Sequence, residues 1–170
     1  MLPYEKYIYL NNRGTSYYYR EDYQTAIKYF QKVIDLVEGY ADMSFGLNLG
    51  RLNLGDCYLQ LNMVDLAVKY INECQLFFEE MGVSTALYYI DTQKIELALL
   101  QKDFQEARRL LSESVVPPGI DPDMVHIRNK YLQQFYEETG NYKGLITICR
   151  GTTSLMILSG MSVSGCVRQT

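Results

Sequence analysis

The apolar residues fall into paired helical runs, each pair broken by a short polar turn. The clearest pair is YYYREDYQTAIKYFQKVIDL, residues 17–36: the end of one helix, a tight turn at Glu21-Asp22 and a second helix. Small Ala26 is the size required where two helices cross closely, and Phe30, four residues on, shares its face. Upstream, Gly14 admits a neighbouring backbone and Tyr17 fills the space beside it. Asp22 is placed to cap the second helix, its carboxylate accepting from a free backbone N–H.

The same offsets return three times. Gly55, Tyr58, Asn62, Ala67 and Ile71 occupy them in the second pair. Ala98, Lys102, Asp103, Phe104, Ala107 and Leu111 do so in the third, and Tyr136, Gly140, Asn141, Tyr142 and Leu145 in the fourth. The turn positions 21, 62, 102 and 140 lie 41, 40 and 38 residues apart. A period in this range marks helix pairs that bury their apolar faces by stacking on one another. The pattern predicts helices over 4–20, 23–38, 43–61, 64–81, 85–101, 104–114 and 122–139, with an eighth starting at Tyr142 and degrading after Cys149. Asn62 and Gly82 suit left-handed stops. Ser84 can cap the fifth helix, Asp103 with Glu106 forms a capping box for the sixth, and Asp121 caps the seventh with Pro122 at its first position. Between them VVPPGIDP cannot be helical throughout, because its prolines lack backbone donors.

These residues resemble the tetratricopeptide repeat family. That family places a small residue and a Tyr in the first helix, a Gly-Asp/Asn-Tyr turn, then Ala and an aromatic in the second. Repeat one matches through Gly14, Tyr17, Asp22, Tyr23, Ala26 and Phe30, and repeat two through Leu54, Gly55, Tyr58 and Ala67. Repeat three keeps Phe104 and Ala107, with Ile95 in place of the first-helix Gly. Repeat four keeps Tyr136, Gly140, Asn141 and Tyr142, with Leu145 in place of the Ala. The resemblance covers residues 4–150, in repeats of about 4–41, 43–82, 84–121 and 122–150. It implies an all-α fold, a right-handed α-solenoid of four helix-turn-helix repeats. The family's usual period is about 34; the extra residues here fall at 38–42, 78–83 and 115–122. In this the chain resembles the long-repeat bacterial type, such as the repeat region of Bacteroidetes sensor and regulator proteins.

Composition narrows the function. Apolar residues make up 48%, which excludes a disordered chain. Sixteen tyrosines and no tryptophan suit a solenoid, where a ring packs between helices and its hydroxyl stays at the edge. Net charge is −4 with no basic stripe, which argues against a nucleic-acid interface. The chain opens without a basic segment followed by an apolar run, and no apolar span is long enough to cross a bilayer. As written it is expected in the cytoplasm, or in the periplasm if it is a fragment of a membrane-anchored sensor.

Little chemistry is in view. Cys57, Cys74, Cys149 and Cys166 form no close pairs, and Cys57 and Cys74 fall in core slots as buried thiols. A metal site needs clustered ligands, and the single histidine, His126, reads as a surface or packing residue. There is no phosphate-binding Gly loop and no His-Glu-x-x-His. Gly160-Met-Ser162-Val-Ser164-Gly165 lacks the spacing of a nucleophile elbow. Glu79-Glu80 and Glu137-Glu138 read as solvated helix faces. No catalytic residue, cofactor or metal is expected. The tail, 151–170, loses its acidic residues and turns to Ser, Gly and Thr. Two explanations stay open: a disordered terminus, or an out-of-frame segment, since codons for LMILSGMSVSGCVRQ can encode the charged NDSIRNERVRMR when shifted.

In the family the first helices of successive pairs line a concave groove. Carried over slot by slot, the groove candidates are Asn11, Asn12, Thr15 and Tyr18; Leu52, Asn53, Asp56 and Leu59; Thr92, Gln93, Glu96 and Leu99; and Lys130, Tyr131, Gln134 and Glu137. Amide side chains can bond an extended peptide backbone from both ends, and Tyr adds rigid contact area. The basic clamp by which chaperone-tail binders hold a terminal carboxylate is missing, with only Lys130 in these slots. The expected function is a non-catalytic scaffold for a protein or peptide, in a bacterial signalling or regulatory protein. The alternatives are an array that self-associates through its C-terminal end, or a short-peptide receptor of quorum type.

Overall fold

The computed structural model of the chain describes residues 3–113 and 115–140, which form seven α-helices and a short 3-10 turn, with no strand among them. The helices are α1 (Pro3–Tyr18), α2 (Tyr23–Val37), α3 (Ser44–Gln60), α4 (Val64–Met81), α5 (Ser84–Leu100), α6 (Phe104–Glu113) and α7 (Pro122–Glu138); the 3-10 turn, Ala41–Met43, leads into α3. The eighth predicted helix, the slots from Asn141 to Leu145, Cys149, Cys166 and the tail lie outside the described residues.

Each turn position adopts the conformation its slot demands. Glu21, Asn62, Lys102 and Gly140 have φ of 61°, 56°, 57° and 69°. Four left-handed residues at four equivalent positions fix the register, since only a shared turn geometry explains non-glycine residues there. Asp22 Oδ1 accepts from the Thr25 N–H at 3.1 Å, and Asp121 Oδ1 from the Asp123 N–H at 2.9 Å, with Pro122 opening α7. Gly82, at φ 63°, closes α4.

Two expected caps are corrected. Ser84 is the first residue of α5 itself, and Val83 precedes it without a side-chain cap. The box at Asp103 is half formed: Asp103 Oδ1 accepts from the Glu106 N–H at 3.0 Å, while the Glu106 carboxylate faces Arg109 at 2.6 Å. A guanidinium one turn away is the stronger partner for that carboxylate.

Consecutive helices pack against each other along the chain, and α1, α3, α5 and α7 also pack in a row of their own. That is the arrangement of an α-solenoid. Small residues set the crossings. Ala26, Ala67 and Ala107, one per pair, are fully buried. A Cβ added at Gly14 would lie 2.5 Å from the Phe30 ring, and one at Gly55 would lie 3.0 Å from Ile71. Beside these crossings Tyr17 stacks on Tyr29 and Tyr58 on Tyr70, centroids 5.4 and 5.6 Å apart. In the third pair Ala98 and Leu110 fill the same slots, both buried. Between pairs the core is continuous: Phe78, Ile71 and Leu52 meet Ile90, and Ile95 and Leu110 meet Phe135. Cys57 and Cys74 are fully buried, and loss of water pushes both thiols up, Cys74 to about 12. His126 and the acidic pairs Glu79-Glu80 and Glu137-Glu138 are exposed.

Candidate functional site

The row of first helices carries a face with a polar-lined cavity. A cavity of about 140 Å³ opens between α1, α3, α5 and α7. Thr15 and Tyr18 reach it from α1, Leu52, Asn53 and Asp56 from α3, Tyr89 and Gln93 from α5, and Met124 and Ile127 from α7. Tyr18 and Ile127 stand on opposite ends of the row yet line the same space, so the row is curved towards it. Phe30, held under Gly14, forms part of the base, and Asp121 and Asp123 stand at the start of α7.

Polar side chains bridge each first helix to the next. Asn53 Nδ2 donates to Asn11 Oδ1 at 3.1 Å, and the Tyr18 hydroxyl donates to Asp56. Gln93 Nε2 donates to the Leu52 carbonyl at 3.0 Å. Gln60 Nε2 donates to Glu96 Oε1 at 2.9 Å, and the Tyr131 hydroxyl donates to the same carboxylate. Such bonds fix the rotation of one pair against the next, because each is made only at one register.

The electrostatics are one-sided. Asp56 is enclosed by protein on most sides, and loss of water, then the Glu96 charge, push its carboxyl up to about 7 against the pull of the Tyr18 bond. Glu96 is raised by burial, opposed by its bonds from Tyr131 and Gln60. Burial and the adjoining carboxylates raise Tyr18 and Tyr131 as well. No Lys, Arg or His is among the residues lining the cavity. Two carboxylates at equivalent slots, Asp56 and Glu96, thus stand on this face, and no cation lines the cavity beside Asp56.

Of the residues placed here from the sequence, Asn11, Thr15, Tyr18, Asn53, Asp56, Gln93, Glu96 and Tyr131 come together on this face, through the cavity or the bonds around it. The others do not. Asn12 and Lys130 are exposed and take no part in the lining. Gln134 is exposed and donates to Glu138 at 2.7 Å on its own helix. Thr92 is buried at 3% exposure, its hydroxyl donating to the Tyr88 carbonyl at 2.8 Å. A threonine that satisfies its hydroxyl on its own helix can be buried as though apolar. Leu52, Leu59 and Leu99 are buried in the core, although Leu52 also reaches the cavity wall, and Glu137 is exposed.

Sequence reasoning missed Tyr19, Tyr89, Gln60, Asp121 and Asp123. Tyr89 lies one turn before Gln93 on the same stripe, a spacing that would have found it. Asp121 was legible as a cap, and a capping carboxylate keeps a second oxygen for other donors.

Residues 7–40 and, separately, residues 50–76 match the tetratricopeptide repeat. No curated protein and no solved structure matches the chain. The two matched segments fall on the first two helix pairs without spanning them fully, and the same turn geometry continues at Lys102 and Gly140. Among the described residues no helix is long and apolar enough to cross a membrane, and no group of three or more His, Cys, Asp or Glu is placed to hold a metal. The two matched segments are tetratricopeptide repeats, and with the repeated helix pairs and their shared turns they support that family for the chain, whose repeats usually mediate protein interactions.

Proposed function

We propose that the chain is a non-catalytic scaffold that holds an extended segment of a partner protein along the curved face of α1, α3, α5 and α7. The observation that carries this reading is the cavity in that face, walled by side chains from all four first helices. Tyr18 and Tyr89 supply rigid contact area, while Asn53 and Gln93 supply polar groups held by neighbouring repeats. Cys57, beside Asp56 in the sequence, is buried and loss of water suppresses its ionisation, which supports a contact surface over thiol chemistry at this face. A place in a bacterial signalling or regulatory protein is the setting we infer from the repeat period near 40, longer than the family's usual length.

Selection of displayed random peptides against the full chain tests the reading. Selected peptides are expected to lose affinity on Tyr89→Ala and on Asn53→Arg, and to keep it on Lys69→Ala, an exposed residue of α4. Peptides that bind all three variants equally would place the binding surface elsewhere.

A further inference from the structure

The cavity has a chemistry of its own. Its polar lining consists of the carboxylates of Asp56, Asp121 and Asp123, the hydroxyls of Thr15 and three tyrosines, and the amides of Asn53 and Gln93, whose nitrogens already donate to Asn11 and to the Leu52 carbonyl. The positive end of the α7 dipole is already answered by Asp121, which accepts from the Asp123 N–H, so this end offers carboxylates rather than free donors. Gln93 adds an independent indication. It lines the cavity at 6% exposure, and its Nε2 is held by the Leu52 carbonyl, which fixes the orientation of the amide. Its Oε1 is buried and has no hydrogen-bond partner. A buried acceptor without a donor is costly; the atom stands against Gly55, and a turn of the amide towards the cavity would let a ligand's donor relieve that cost.

Size decides the class of ligand. Small-molecule sites run to roughly 300–1,000 Å³, well above the 140 Å³ found here. A dry cavity of about 150 Å³ takes a group the size of benzene. One side-chain head fits, and the walls select its charge.

We propose that this cavity receives a basic side chain, arginine or lysine, presented by the partner segment that the curved face holds. The inference rests on the scaffold reading above. Asp56 supplies the counter-charge, the Gln93 amide turns its Oε1 from Gly55 to accept a donor, and the rings of Tyr18, Tyr19 and Tyr89 line the space that a cation would fill. The groups facing Asp56 are Tyr18 of α1, Tyr23 of α2, Glu96 and Tyr89 of α5, and Tyr131 with Asp121 and Asp123 of the α7 segment. Every one is acidic or a neutral hydroxyl, so nothing in the cavity competes with an incoming cation. Because Asp56 titrates near 7 without a counter-ion, a bound cation favours its ionised form, and binding strengthens as pH rises towards 8.

The test uses the full chain and three capped pentapeptides, Ala-Ala-Xaa-Ala-Ala, with arginine, its neutral isostere citrulline, or glutamate at the centre. Binding is read from backbone amide shifts. The arginine peptide is expected to move the amides of Thr15, Asp56 and Gln93 saturably at millimolar concentrations near pH 8. The citrulline peptide should bind roughly tenfold more weakly or worse, a loss of at least about 1.4 kcal/mol, and the glutamate peptide not at all. Asp56→Asn, and separately Asp123→Asn, should weaken the arginine peptide with the helical circular dichroism unchanged. Lowering the pH to about 6 should weaken it in the parent and much less in Asp56→Asn. Equal binding of all three peptides at those amides would overturn the choice of a cation while leaving the scaffold reading in place. An arginine peptide that moves only amides elsewhere, or none, would overturn the cavity assignment. If displayed peptides likewise ignored the curved face, the scaffold reading would fall with it.

Discussion

The first helices show two faces with opposite rules. Towards their partner helices they are dry and close-packed: Gly14 lies against the Phe30 ring and Gly55 against Ile71, and Ala26 and Ala67 of the partner helices are wholly buried. Towards the curved face they are polar, and amides, hydroxyls and carboxylates bridge from one helix to the next. The dry face obeys a rule set within one pair, where two backbones must approach and only Gly or Ala fits. The polar face obeys a rule set between pairs, where a side chain must reach a group some 40 residues away. Stability is concentrated on the first face, and the proposed recognition belongs to the second.

The sharpest way to break that division is to overfill a crossing. Ala67 has no exposed surface and sits among Leu59, Ile71 and Cys74. Ala67→Leu is expected to destabilise by about 1–3 kcal/mol through forced rotamers and shifted backbone. Denaturant unfolding measures it, and a midpoint equal to the parent's would contradict the register.

The same division explains what was legible in the sequence. The turn positions and the small residues could be read because each is dictated by local sterics: a left-handed residue at the turn, a missing side chain at the crossing. The polar face could be read only in part. Gln93 was placed in the groove by its slot, yet it is buried because it fills the space that Gly55 leaves in the preceding repeat, its Oε1 3.4 Å from where a Gly55 Cβ would stand. That complementarity joins two repeats and is invisible in a pattern aligned within one. Thr92 failed for a related reason, since its slot turns inward at α5 and its hydroxyl bonds to its own helix. At the far end of the row Lys130 and Gln134 are exposed, and α7 reaches the cavity with Met124 and Ile127 instead.

Asp56 sharpens the comparison, because it is the point where the polar face destabilises the fold. Its folded pKa, about 7, stands above the usual 3.8. A carboxyl raised in this way contributes stability that is fully present below about pH 4 and is lost as pH rises through 7. Asp56→Asn keeps an acceptor for the Tyr18 hydroxyl and removes the ionisation. Near pH 8 it is expected to raise stability by about 1 kcal/mol, the full shift being discounted for solvent reaching the cavity. Near pH 4 the gain should vanish. Thermal melts at both pH values decide it, and a gain that is the same at both would show that charge is not the cause.

The smallest effect is the most discriminating. Asn12 and Asn53 occupy equivalent slots, 41 residues apart, and any rule confined to one repeat treats them alike. In the fold they differ: Asn12 is exposed, whereas Asn53 is half-buried, walls the cavity and donates to Asn11. Asn53→Ala removes that one bond between partners that water can still reach, at a cost of about 0.5–1 kcal/mol. Asn12→Ala should stay within about 0.5 kcal/mol of the parent. A double-mutant cycle with Asn11→Ala isolates the term, since coupling should appear for Asn53 and be absent for Asn12. If Asn12 coupled as strongly as Asn53, the slots would be equivalent in energy as well as in sequence. The curved face would then be built by repetition alone, without the cross-repeat bonding that gives the cavity its shape.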